Sequence, residues 1–194
     1  AGKSLITNLD YDNLDRIKSQ TKTYNGADAS QQQVVKYTYD AAGNVLIQQA
    51  GAGGTTDPRN VAKSFVYDAL GRVVRQTESG NVVGGTQSRT TSFSYDAVGN
   101  LLATFDPLGN DERFEYDRLN RVVKSIAPDP DGAGLQAAVV TTTEYDAAGR
   151  VIRQTDALGN VDRTIYDTRG RVVRTIDPLG EEIRRRYDAA GNLT

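Results

Sequence analysis

The sequence predicts an all-β chain of tandem antiparallel hairpins joined in one continuous coiled sheet. Three observations carry this. A single motif, Tyr-Asp, then two variable residues, usually Gly, then Asn or Arg and two apolar residues, recurs eight times in 194 residues. Each copy places turn-forming residues at fixed offsets. The stretches between turns hold six residues between Gly99 and Asp106 and seven between Gly109 and Asp117, which suits strands of about 20 Å and is too short for helices.

The copies begin at Tyr11, Tyr39, Tyr67, Tyr95, Tyr116, Tyr145, Tyr166 and Tyr187, with separations of 28, 28, 28, 21, 29, 21 and 21 residues. The basic unit is therefore 21 residues. In each motif Asp-x-x-Gly suits a type I turn: the aspartate accepts hydrogen bonds from the following amides, and glycine supplies the positive φ that closes a bulged hairpin. Asp40-Ala41-Ala42-Gly43 is one instance. Asp15 and Asn120 replace the glycine in two copies, and Asp and Asn are the non-glycine residues that best tolerate the left-handed conformation.

Midway through the short units the same grammar returns as Asp106-Pro107-Leu108-Gly109, Asp156-Ala157-Leu158-Gly159 and Asp177-Pro178-Leu179-Gly180, with proline where a turn wants φ near −65°. A short unit is thus two strands and two turns. The longer units carry their extra residues in loop-like stretches such as Gly51-Ala52-Gly53-Gly54-Thr55-Thr56-Asp57-Pro58 and Pro128-Asp129-Pro130-Asp131-Gly132-Ala133-Gly134. The whole chain, residues 1–194, reads as one repeat array of about sixteen strands. The Tyr-Asp turns are expected along one sheet edge, with inserted loops at about 24–34, 50–60, 78–89 and 127–139 on the other.

Side-chain alternation places Tyr95 with Phe93, Tyr67 with Phe65 and Tyr39 with Tyr37. A unit of odd length sends successive tyrosines to opposite faces unless one residue is absorbed. The expectation is that the two turns of a short unit differ, one a three-residue bulged loop and the other of even count. Tyrosines beside Val or Leu then form a column that serves as the core.

Composition sets limits. Leu, Ile, Val and Phe make up 43 of the 194 residues, so the chain is folded but poor in core. There is no Cys and no His, which removes disulfides, thiolate nucleophiles, imidazole bases and the Ser-His-Asp triad. The net charge of −2 offers no field for nucleic acid or anionic membrane, and no apolar run approaches the roughly 18 residues of a membrane span. Methionine is absent as well, which reads as a piece of a longer chain.

The recurring Tyr-Asp-x-x-Gly-Arg/Asn-Val/Leu, followed by Asp-Pro-Leu-Gly-Asn, resembles the rearrangement-hotspot (Rhs) or YD-repeat family along essentially the whole chain. The resemblance implies a long antiparallel sheet wound into a spiral shell, found in secreted polymorphic toxins, insecticidal toxin complexes and cell-surface or wall-associated proteins. In the toxins the shell encloses a toxic domain. It also implies a shell partner that is either neighbouring repeats of the same chain or an enclosed toxin domain, and a secreted or cell-surface location. The family's self-cleaving core segment has no counterpart after Tyr187, so Asp177 and Asp188 read as turn residues only.

No residue is singled out as catalytic, cofactor-binding or metal-ligating, and no cofactor is expected. Paired acids such as Asp111 with Glu112 and Glu181 with Glu182 have the chemistry of a glycosidase but sit in ordinary strand and turn positions. Asp129-Pro130-Asp131-Gly132 lacks the spaced acids of a calcium loop. Arginine gathers toward the C-terminal half, at Arg150, Arg153, Arg163, Arg169, Arg171, Arg174, Arg184, Arg185 and Arg186. These read as cross-strand partners of acids and as covers for neighbouring rings. The alternative is a surface adhesin or fibre module that binds carbohydrate or protein through its tyrosine and arginine rows. Unpaired strands at either end predict edge-to-edge self-association.

Overall fold

A computed structural model describes residues 5–24, 32–51, 60–82, 85–131 and 137–194. Among them are fifteen β-strands and no helix, hydrogen-bonded into one sheet whose spatial order is the chain order. Contacts gather the chain into two compact units, residues 1–93 with 105–108, and residues 94–104 with 109–194. The first holds β1 (Leu5–Tyr11), β2 (Ile17–Tyr24), β3 (Gln33–Tyr39), β4 (Val45–Gly51), β5 (Val61–Tyr67), β6 (Val73–Val82) and most of β7 (Gly85–Tyr95). The second holds most of β8 (Leu101–Phe105), then β9 (Asp111–Tyr116), β10 (Val122–Ile126) and β11 (Val140–Tyr145). It continues through β12 (Val151–Thr155), β13 (Val161–Tyr166), β14 (Val172–Ile176) and β15 (Glu182–Arg184).

The Tyr-Asp turns form as their residues dictate. In the turn at Asp146, the Asp146 N–H donates to the Arg150 carbonyl at 2.9 Å and the Gly149 N–H to the Asp146 carbonyl at 3.0 Å, leaving a three-residue loop. Gly149 closes it at φ 85°, and where glycine is missing Asp15 and Asn120 adopt φ 58° and 60°. The eighth copy ends in a single antiparallel bridge, Tyr187 to Leu193, in place of a sixteenth strand.

Register resolves the parity problem differently from the expectation. Both turns of a short unit are three-residue loops, since the Asp156 N–H likewise donates to the Asn160 carbonyl at 3.0 Å. The odd residue is absorbed instead by a bulge beside each tyrosine: Tyr145 pairs with Val151 while Glu144 pairs with Arg153, and Tyr166 pairs with Val172 while Ile165 pairs with Arg174. The two apolar residues after each turn are thus the bulge itself, two residues set opposite one tyrosine.

The third expected loop is also corrected. Residues 78–82 and 85–89 are extended strand, with Ser79 paired to Ser88 and Val82 to Gly85, and no proline interrupts the ladder. Of the other inserts, expected at about 24–34, 50–60 and 127–139, residues 25–31, 52–59 and 132–136 lie outside the described residues. The core is thin. Ala103, at 5% exposure, is the one buried apolar residue among those described, and the tyrosines of the column are half-buried, Tyr11 excepted, which is exposed. A single sheet offers each side chain one flanking neighbour on either side and no second layer in which to sink.

Candidate functional site

Side-chain chemistry concentrates where one repeat meets the next. In the second unit, Asp146 accepts the Ala148 and Arg150 amides on Oδ1, both at 2.9 Å. Its Oδ2 accepts Arg150 Nε at 2.7 Å, and Arg150 Nη2 stands 2.6 Å away. The guanidinium so anchored reaches forward: Nη1 donates to the Asp167 carbonyl at 3.3 Å, and Cζ lies 4.6 Å from the centre of the Tyr166 ring. The Tyr166 hydroxyl reaches back to the Val151 carbonyl at 3.0 Å. Each element of this staple follows from register, which sets the residue after the turn glycine level with the next tyrosine.

The staple repeats. Arg121 covers Tyr145 and Arg171 covers Tyr187, each at 4.5 Å, with the hydroxyls of those tyrosines on the carbonyls of Val122 and Val172 at 2.9 Å. In the first unit Arg16 covers Tyr39 at 4.5 Å and donates to the Asp40 carbonyl at 3.3 Å, while Tyr39 donates to Ile17 at 2.7 Å. Two tyrosines face an asparagine instead. Tyr67 donates to the Val45 carbonyl at 2.8 Å beside Asn44, and Tyr116 to Leu101 at 2.9 Å beside Asn100. Asn100 Nδ2 also donates to Asn120 Oδ1 at 2.9 Å.

A sequence model described as RHS Repeat matches residues 67–110, 95–133, 145–182 and 166–194. The chain belongs to the RHS-repeat family. No curated protein matches it. Its RHS-repeat fold is similar to the crystal structures of TcdB2-TccC3-TEV (17% identity, TM-score 0.70) and TcdB2-TccC3-Cdc42 (16%, 0.72). It is similar as well to TcdB2-TccC3 without its hypervariable C-terminal region (17%, 0.69). Each match covers 97% of this chain and 10% of the solved one, so these RHS repeats span about a tenth of those chains.

Electrostatics follow the staples. The carboxyl of Asp146 is held below its ordinary 3.8, first by the Arg150 side chain and then by its amide; for Asp167 the Arg171 amide leads. Where asparagine stands in place of arginine, tyrosine ionisation is resisted. Tyr67 is pushed above its ordinary 10.0 by burial and by the Asp40 charge, and Tyr116 by burial and by Asp96.

The residues weighed in the sequence disperse along the RHS repeats. Asp111 pairs with Arg113, and Glu182 with Arg174 and Arg184 at 3.1 and 2.7 Å. Arg153 meets Glu144 across the ladder at 2.8 Å, as Lys124 meets Glu115 at 2.6 Å. The Asp131 amide donates to Asp129 Oδ1 at 3.2 Å in a simple turn, and Gly132 lies outside the described residues. Among the described residues no cluster of three or more acids is placed to hold a metal, and no helix is long and apolar enough to cross a membrane. Arg150 and Arg171 cover neighbouring rings as expected, while the position after the turn glycine went unmarked as the link between repeats. Its restriction to Arg or Asn in every copy was the available signal.

Proposed function

We propose that these RHS repeats form a structural wall segment of an encapsulating β-shell in a secreted toxin or cell-surface protein, with no catalytic role. The observation that carries this reading is the staple: in the stapled hairpins a guanidinium anchored on the carboxylate of its own turn covers the ring of the adjoining hairpin, so the chemistry of the repeat serves its own continuity. The repeat family and the likeness to the TcdB2-TccC3 fold support it. An enclosed toxin domain is the partner of such a wall, and neighbouring repeats continue it on either side.

Electron cryo-microscopy of the full-length protein that carries these residues tests the reading. The expected result is a hollow particle with density enclosed by the sheet. A solid extended fibre would overturn it. So would glycan-array binding that disappears when Arg171 and Arg174 are both changed to Ala, which is the behaviour of an adhesin.

A further inference from the structure

One repeat lacks its guanidinium but keeps what receives one. In the stapled repeats the guanidinium lies among three groups: the carboxylate of its own turn, the backbone carbonyl of the next Tyr-Asp aspartate and the face of the next tyrosine. In the repeat from Asp40 to Gly71 the corresponding groups are the Asp40 carboxylate, the Asp68 carbonyl and the Tyr67 ring. Asn44 is too short to span them. Its amide donates to Asp40 Oδ2 at 2.9 Å, one N–H where the stapled carboxylates take two nitrogens. The Asp68 carbonyl accepts the Gly71 amide at 3.0 Å, as the Asp146 carbonyl accepts Gly149 while also taking Arg121 Nη1 at 3.3 Å.

A depression of about 590 Å³ opens at this place. Asp40, Asn44 and Tyr67 line it together with Leu46, Phe65 and Leu70, and Leu46 and Leu70 are 37% and 70% exposed. It therefore joins a carboxylate and the Tyr67 ring, whose centre lies 6.5 Å from that of Phe65, to an apolar strip suited to a methylene stem.

We propose that the depression at Asn44 binds an arginine side chain of another polypeptide, seated as the missing staple arginine would be. Its guanidinium bonds Asp40 Oδ2 and the Asp68 carbonyl over the Tyr67 ring, and its stem lies on Leu46 and Phe65. Lysine is a poor substitute, because an ammonium is a point charge that cannot fork between two acceptors and stack at once. The place at Asn100 differs, since the Asn100 amide is bridged to Asn120 there.

The test is an amide NMR titration of the 194-residue chain with N-acetyl-arginine amide, free arginine and N-acetyl-lysine amide. The expected result is saturable shifts confined to residues 40–46 and 65–71, with a dissociation constant of about 1–10 mM and at least about fivefold weaker binding of the lysine compound. N-acetyl-arginine amide, whose backbone ends are neutral as in a chain, should bind as tightly as free arginine to within about threefold, since both carry one net positive charge; binding of free arginine alone would overturn the assignment to a chain-borne side chain. Asn44→Arg should abolish the shifts by filling the place from within, while raising the melting temperature. Asn44→Ala, which frees Asp40 Oδ2, should retain or strengthen them. Absence of saturable shifts in the unaltered chain, or shifts that persist in Asn44→Arg, would overturn the proposal.

Discussion

Tyrosine in this repeat acts through three of its features at once: the ring packs on the sheet, its face receives a cation, and its hydroxyl bonds the carbonyl of the preceding repeat. Removing the hydroxyl isolates the third. Tyr166→Phe loses the bond to Val151 and should destabilise the chain by about 1 kcal/mol, read by urea unfolding. Arg150→Lys keeps the charge but loses the fork on Asp146 and the stack on Tyr166, at a cost of about 1 kcal/mol. If the two effects are parts of one contact, the double variant should lose less than their sum. Tyr, Asp and the turn glycine were legible as residues because their roles are local. The covering of rings by Arg150 and Arg171 was legible too; which ring each one covers was not, since it depends on which residues register brings level, and register here hinges on a bulge that no residue type announces.

At the scale of the hairpin, the loop conformation is the controlling element. A Cβ built on Gly159 would meet nothing within 4 Å, yet the residue sits at φ 83°, so the effect of Gly159→Ala is conformational alone and should be about 1–2 kcal/mol destabilising. Asp15, at φ 58°, is the converse. Asp15→Gly should stabilise by about 1 kcal/mol, and thermal melts of both variants check the pair. The turns and strands were readable from spacing and turn chemistry; Asp15 and Asn120 even marked the left-handed position by being the two permitted replacements. The strands at residues 78–82 and 85–89 were not readable. Glycine and serine there suggest a loop by composition, whereas the ladder from Ser79–Ser88 to Val82–Gly85 is set by the hairpin already running beneath it.

For the molecule as a whole, two properties follow. Asp12, Asp117, Asp146 and Asp167 are held below their ordinary value in the folded state, so the stability they contribute is present above pH 3.8 and lost as pH falls further. Tyr67 and Tyr116 are raised above 10.0, so the stability tied to their neutral forms is present below that pH and lost above it. With no histidine in the chain, melting temperature should be flat from about pH 5 to 9 and fall on both sides. A slope centred near pH 6.5 would contradict this. The second property is association. Among the described residues β1 pairs with β2 alone and is exposed along all seven of its residues, so in the 194-residue chain that edge should pair with another copy. Light scattering across a concentration series should show a mass that rises with concentration.

The staple connects each hairpin only to the one beside it, and this has a mechanical consequence. A meander held by nearest-neighbour contacts, when drawn out from its end, carries tension on one ladder at a time and peels rather than shears. In the second unit each 21-residue step would release roughly 70 Å of chain. Resistance would rise at every guanidinium and drop at Asn100, so the order of arginine and asparagine along the sequence is also a profile of force against extension.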